Sequence, residues 1–360
     1  MTSPTGKIVV VGAGIVGASV AYHLARRGAA VTLVDKDQPA KGVTGQGFAW
    51  INIAHSEPGP ISGLRRMAVG EYRRLEAELG PELSINWCGA LSWNRDPART
   101  ERFVREHQAH GYDVRLVERE EIARLEPGLL QLPDCAAYAA GEGAVDPVAV
   151  TETLVRAAQG AGAEIRTGTE AAALATSGGR IAGVVTADGR IEADVVVLAA
   201  GTGVRALGQT IGVTVPVDPS PATLLRIATD RRLASGIIAS PDIEVRQITD
   251  CLLLAAEDYI DDTEENGPAA VAGRAVEAIR QRLRGASGVT LQSVSVGRRP
   301  MPADDLPIIG FVDGIDGLYT AVMHAGVTMA AAVGRLSASE ILDGTDQAEF
   351  GSCRPRRFAD

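Results

Sequence analysis

Residues 8–35 read IVVVGAGIVGASVAYHLARRGAAVTLVD, and this run decides the fold. Ile8–Val11 is short, apolar and β-branched, the pattern of a strand buried on both faces. The spacing after it predicts a helix over Gly14–Arg27, with Ile15, Val16, Ala18, Val20, Ala21, Leu24 and Ala25 on its packed side and Gly28 as the stop. Ala30–Val34 reads as a second strand, and so compact a strand–helix–strand unit makes the two strands parallel.

Gly12, Gly14 and Gly17 place G-x-G-x-x-G between the first strand and the helix. The first glycine allows the tight turn, the second lets backbone approach a pyrophosphate, and the third lets helix and sheet pack. The helix N-terminus offers unpaired N–H groups and partial positive charge to phosphates. Asp35 ends the second strand, where a carboxylate accepts from ribose hydroxyls and repels a 2′-phosphate, which disfavours NADP. NAD and FAD both remain open on this stretch.

Bulk properties narrow the class. At 360 residues the chain has room for two domains and a large core, and 46% hydrophobic against 22% charged residues is ordinary for a globular protein. A net charge of −10 argues against a nucleic-acid partner, which needs a basic surface. Cys88, Cys135, Cys251 and Cys353 are far apart with no Cys-x-x-Cys, so neither a zinc site nor a redox dithiol is expected. No apolar run precedes Ile8, and 318–333 is too short and polar to span a membrane. The expectation is a cytoplasmic protein without metal.

Further along, helices are predicted over Leu64–Leu79, Ala98–His110, Pro147–Gln159 and Pro268–Arg284. Ile181–Ala187 and Arg190–Leu198 flank Asp188-Gly189, a strong hairpin signal. Strand-like pieces follow at Thr223–Ile227, Ile243–Ile248, Cys251–Ala255 and Val289–Val296. Two late segments separate FAD from NAD. ADVVVLAAGTG (193–203) puts a second glycine turn after another buried strand. GLYTAVMHAGVTMAAAVGRLSASEIL (317–342) runs from a strand through a glycine turn into an alanine-rich helix. A second helix N-terminus suits a flavin, whose N1–C2=O edge becomes anionic on reduction and needs N–H donors.

The segments VVVGAGIVGASVAYHLARRGAAVTLVD, GAVDPVAVTETLVRAAQGAGAEI, ADVVVLAAG, GRRPMPADDLPIIG and MHAGVTMAAAVGRL come in an order that resembles the FAD-dependent D-amino-acid oxidase superfamily, which includes glycine oxidase and sarcosine oxidase. The resemblance implies an α/β fold: a Rossmann-like FAD-binding domain (1–84, 144–212 and 298–345) carrying an inserted, mostly antiparallel β substrate domain (85–143 and 213–297), with a tail at 346–360. It also implies oxidation of the C–N bond of an amino acid or amine to an imine, which water then hydrolyses.

As cofactor contacts the resemblance implies Gly12, Ala13, Gly14, Ile15, Val16, Gly17, Asp35, Lys36, Thr44, Gln46, Gly47, Ala172, Ala200, Gly201, Gly326, Val327 and Thr328. Arg299 corresponds to the arginine that holds the substrate carboxylate in glycine-oxidase-like members, a task suited to a planar guanidinium fork; the bland alternative is an ion pair with Asp304 or Asp305. Arg298 is expected to face away. His324, ahead of the late helix, is a second catalytic expectation. Phe48, Trp50 and Asn52 share a face and are expected to wall the substrate pocket, with His55, Arg246 and Tyr259 as further substrate contacts. Gln46 and Met301 stand where covalent-flavin relatives carry histidine or cysteine, so noncovalent FAD is expected.

The only lysines are Lys7, Lys36 and Lys41, so no lysine from the second half of the chain can sit over the ring to assist O2. Oxidase and dehydrogenase therefore stand level, with O2 or another electron acceptor. The chain is expected to act alone, as a homodimer, or beside a partner flavoprotein subunit in a sarcosine- or hydroxyproline-type dehydrogenase; a non-enzymatic FAD-binding protein is the remaining class.

Overall fold

The computed structural model describes residues 6–53 and 58–358. The strand Ile8–Val11 lies inside a six-stranded sheet, parallel to Val31–Val34 on one side and Val195–Leu198 on the other. Glu164–Arg166 and Leu318–Val322 extend it in parallel, and Ile308–Phe311 closes one edge antiparallel. Strand alternation divides the core. Ile8 and Val10 pack with the helices Ile15–Ala25, Pro147–Gly160 and Gly326–Asp343, while Val9 and Val11 pack on the other face. That second face is covered by Leu174, Ile181 and Val184 of a small antiparallel sheet, Ala173–Ser177, Arg180–Thr186 and Gly189–Glu192. Burial on both sides is what an unbroken Ile/Val strand requires.

A second sheet of eight strands runs in the order Thr290–Pro302, Val217–Ala228, Leu252–Asp258, Glu244–Thr249, Ile237–Ala239, Ala90–Ser92, Cys135–Ala139, Arg115–Glu118. Its pairs are antiparallel except Ile237–Ala239 with Ala90–Ser92. The helix Pro268–Arg282 covers the face that carries Leu225, Ile227, Val245, Leu253 and Ala255. The opposite face turns toward the first sheet.

Two sequence expectations need correction. Arg190–Leu198 is not one strand: the hairpin arm ends at Glu192, and Val195–Leu198 belongs to the parallel sheet. The expected strand Val289–Val296 runs on to Pro302, because it lies at the sheet edge where prolines cost no ladder bond. Among the described residues no helix is long and apolar enough to cross a membrane.

Candidate active site

A cavity of about 940 Å³ lies between the carboxyl ends of the parallel strands and the uncovered face of the eight-stranded sheet. Open α/β sheets bind ligands at those ends. At one end the lining includes Gly12, Gly14, Ile15, Val16, Asp35, Lys36, Ala172, Ala200 and Gly201. Gly12 has φ 108°, and a Cβ there would lie 2.5 Å from the Ala199 carbonyl oxygen. The helix Ile15–Ala25 starts at Gly14 without a side-chain cap, and the Ile15 N–H donates to Thr44 Oγ1 at 3.2 Å. Asp35 accepts from the backbone N–H of Ala13 at 2.6 Å and of Asp37 at 2.8 Å.

A second helix N-terminus opens into the other end. Gly326–Asp343 follows Ala325, which is left-handed at φ 56°, and again no side chain caps it. The first N–H groups of a helix have no partner within it, so they remain available to a ligand. The surrounding wall is tied to this helix. Thr328 Oγ1 donates to the Trp50 carbonyl at 3.0 Å and accepts from Asn52 N–H at 3.4 Å. Tyr72 donates its phenol to the Val327 carbonyl at 2.5 Å, and burial raises its pKa, so it stays a donor. Buried Glu142 accepts from the Trp50 indole N–H at 2.8 Å and from Ile53 N–H at 2.7 Å.

The eight-stranded sheet forms the roof. Pairing of Ser220 with Arg299 and Ala222 with Gly297 puts these residues on one face. A Cβ at Gly297 would lie 3.2 Å from the Gln46 carbonyl oxygen, so the missing side chain lets the sheet close over that loop. Arg299 Nη2 donates to Ser220 Oγ at 2.9 Å and Pro221 O at 3.3 Å, and Nε donates to Ser220 O at 3.3 Å. Among the described residues no carboxylate pairs with it, and Asp304 is taken instead by Arg357 at 2.7 Å. Nη1 makes no hydrogen bond among the described residues, and Arg299 lines the cavity.

Glu244 also lines the roof, without a hydrogen bond or ion pair among the described residues. Its carboxyl is pushed up to about 7, first by burial and then by the negative charges of Glu257 and Asp258, against the pull of Arg299.

Residues 7–340 match the family model described as DAO, FAD dependent oxidoreductase. The chain belongs to this DAO family. Over 353 residues it is 26% identical to the uncharacterized oxidoreductase YurR of Bacillus subtilis, covering 93% of this chain and 94% of that one. Against human mitochondrial dimethylglycine dehydrogenase it is 25% identical over 97% of this chain but only 44% of the relative. The crystal structure of glycine oxidase from Bacillus cereus superposes with a TM-score of 0.86 over 97% of this chain and 98% of that one, at 20% identity.

The cavity fits the dinucleotide of the DAO family. It runs from the ribose-type carboxylate Asp35 past one uncapped helix start to a second, and a side chain at Gly14 would crowd Thr44 Oγ1 at 3.2 Å. Of the expected cofactor contacts, Gly12, Gly14, Ile15, Val16, Asp35, Lys36, Thr44, Gln46, Gly47, Ala172, Ala200, Gly201, Gly326, Val327 and Thr328 line it. Ala13 and Gly17 stand outside the lining: Ala13 turns its N–H to Asp35, and Gly17 packs on the Gly12 carbonyl.

Arg299, His324, Phe48, Trp50 and Asn52 also line the cavity. Arg246 does not. Its guanidinium is used on the Phe48 carbonyl at 2.5 Å and the Val145 carbonyl at 2.9 Å, so it props the wall from behind. Tyr259 is not part of the cavity lining either. It lies one residue past the strand Leu252–Asp258, beside Asp262, which raises the pKa of its phenol. Arg298, expected to face away, is exposed, yet it also lines the cavity beside Arg299. His55 lies outside the described residues.

Glu244 is the site residue that sequence reasoning missed. The signal was present: in DIEVRQI, Ile243 and Val245 are core residues, so Glu244 and Arg246 must share the other face.

Proposed function

We propose that this DAO-family protein oxidises the C–N bond of an amino acid or secondary amine to an imine, which water then hydrolyses to a carbonyl compound. FAD, held without a covalent bond, supplies the hydride acceptor. In this reading 1–84, 144–212 and 298–345 form the cofactor domain, and 85–143 with 213–297 the substrate domain. The observation that carries the reading is Arg299: a cavity-facing guanidinium, oriented by Ser220 and Pro221 and unpaired with any carboxylate among the described residues.

Each residue has a task in this scheme. Gly12, Gly14 and the start of the helix Ile15–Ala25 receive the pyrophosphate, and Asp35 the ribose. The N–H groups of Gly326, Val327 and Thr328 stabilise negative charge at the flavin edge. Arg299 binds the substrate carboxylate, which fixes the face of Cα presented for reaction. Phe48 and Trp50 exclude water beside it, and His324 contacts the reacting end. Names of relatives such as dimethylglycine dehydrogenase and glycine oxidase support the amino-acid class.

The test is anaerobic bleaching of the flavin against both enantiomers of a panel of amino acids and N-methyl amino acids. Bleaching by carboxylate-bearing amines supports the reading; failure with every amine overturns it. Acid precipitation checks the linkage, since yellow colour staying in the pellet contradicts noncovalent FAD. A second reading concerns the oxidant. Lys36 is the lysine on the cavity lining, and it sits beside Asp35 at the ribose end, which favours an acceptor other than O2. Rapid reoxidation of reduced enzyme in air would overturn that.

A further inference from the structure

We propose that the substrate carries a second charged group, an ammonium or guanidinium far from its carboxylate, and that Glu244 receives it. The inference rests on the carboxylate role of Arg299 and deepens it. Both residues lie on the cavity face of one sheet, Arg299 on Thr290–Pro302 and Glu244 on Glu244–Thr249. Two strands, Val217–Ala228 and Leu252–Asp258, lie between them, and the register sets Glu244 level with Leu224 and Ser295 while Arg299 is level with Ser220, so the backbones stand about 14 Å apart across the sheet and about 13 Å apart along it. The roof therefore presents positive charge at one side and negative charge at the other.

Glu244 has no structural employment. It makes no hydrogen bond or ion pair among the described residues, and a half-buried carboxylate facing a cavity is open to a partner from a ligand. Arg246, two residues along on the same face, is committed to the Phe48 and Val145 carbonyls. Arg299 is committed to Ser220 and Pro221. Asp258, at the end of the neighbouring strand, adds negative charge on the same side of the cavity. A cation brought by the substrate would satisfy this region.

The α-amine of a small amino acid cannot be that cation. It sits one carbon from the carboxylate, and so stays with Arg299 while Glu244 remains unpaired. A molecule spanning the roof, with its carboxylate on Arg299 and a basic terminus on Glu244, satisfies both ends. The class is a basic amino acid, with a side chain of the length of lysine, ornithine or arginine. Complementary charge at two separated points gives selectivity more than raw affinity.

The experiment compares kcat/KM for lysine, ornithine and arginine with norleucine and norvaline, both enantiomers, in wild type and Glu244→Gln. Wild type is expected to favour the basic members by about tenfold or more, as for one charge-assisted hydrogen bond. Glu244→Gln should abolish that preference, read as the ratio of basic to neutral kcat/KM within each enzyme. A binding measurement needs no turnover: 6-aminohexanoate should raise the melting temperature of the holoenzyme more than hexanoate does, and Glu244→Gln should erase the difference. Equal reaction and equal binding of basic and neutral compounds would overturn this inference alone. Inertness toward every amine would overturn the proposed function with it.

Discussion

The Thr328 hydroxyl donates to the Trp50 carbonyl at 3.0 Å, joining the N-terminus of the helix Gly326–Asp343 to the wall of the cavity. The same oxygen accepts from Asn52 N–H at 3.4 Å, so one side chain sets the distance between both parts of the site. Thr328→Val keeps the shape and removes both bonds. The expected loss is about 1 kcal/mol per bond, a fall of a few degrees in Tm, together with weaker FAD retention on dialysis. An unchanged Tm and unchanged retention would show that the wall does not depend on this link.

Glu142 holds two donors that water cannot reach, the Trp50 indole and the Ile53 N–H. Glu142→Ala strands both, at a cost of about 1–3 kcal/mol for each. The denaturation midpoint should fall accordingly. Glu142→Gln should be milder, because the amide oxygen still accepts from one of them.

Arg299→Ala is expected to raise KM for carboxylate-bearing substrates by about 100-fold or more, the cost of removing one partner of a hydrogen-bonded charge pair. Arg299→Lys should recover only part, since an ammonium lacks the planar fork. Amines without a carboxylate should be nearly indifferent to either change. If they lose activity equally, Arg299 acts on something other than the carboxylate.

Glu244 and Glu257 are both pushed from 4.5 up to about 7, chiefly by burial. The folded protein therefore keeps protons that the unfolded chain has released. Their stabilising contribution is complete below the unfolded value and disappears as pH rises through about 7. Melting temperature should accordingly decline between about pH 5 and pH 8, and Glu244→Gln should flatten that decline. A steeper decline in the variant would contradict the assignment.

Much of the cofactor end was legible because it is local. Strand, glycine turn, helix and acid follow one another within 28 residues, and each constrains the next through backbone geometry. The roof was harder to read because its face depends on pairing between distant strands. Arg246 and Tyr259 carry suitable chemistry, yet the clamp on Phe48 occupies one and the other lies past the strand end, outside the cavity lining. Glu244 escaped notice for a related reason: its parity was readable, but the cavity beneath it was not. Arg299 was found only through the motif around it, since its Ser220 support comes from a strand 79 residues away.

Arg246 fastens the roof to the cavity wall through carbonyl oxygens of Phe48 and Val145, with no carboxylate paired to it among the described residues. Burial lowers its pKa only to about 10, so it stays charged near neutrality. Dipoles rather than a counter-ion balance that charge, in a place mobile ions do not enter. Concentrated salt should therefore loosen the surface ion pairs while the roof remains latched to the wall of the site.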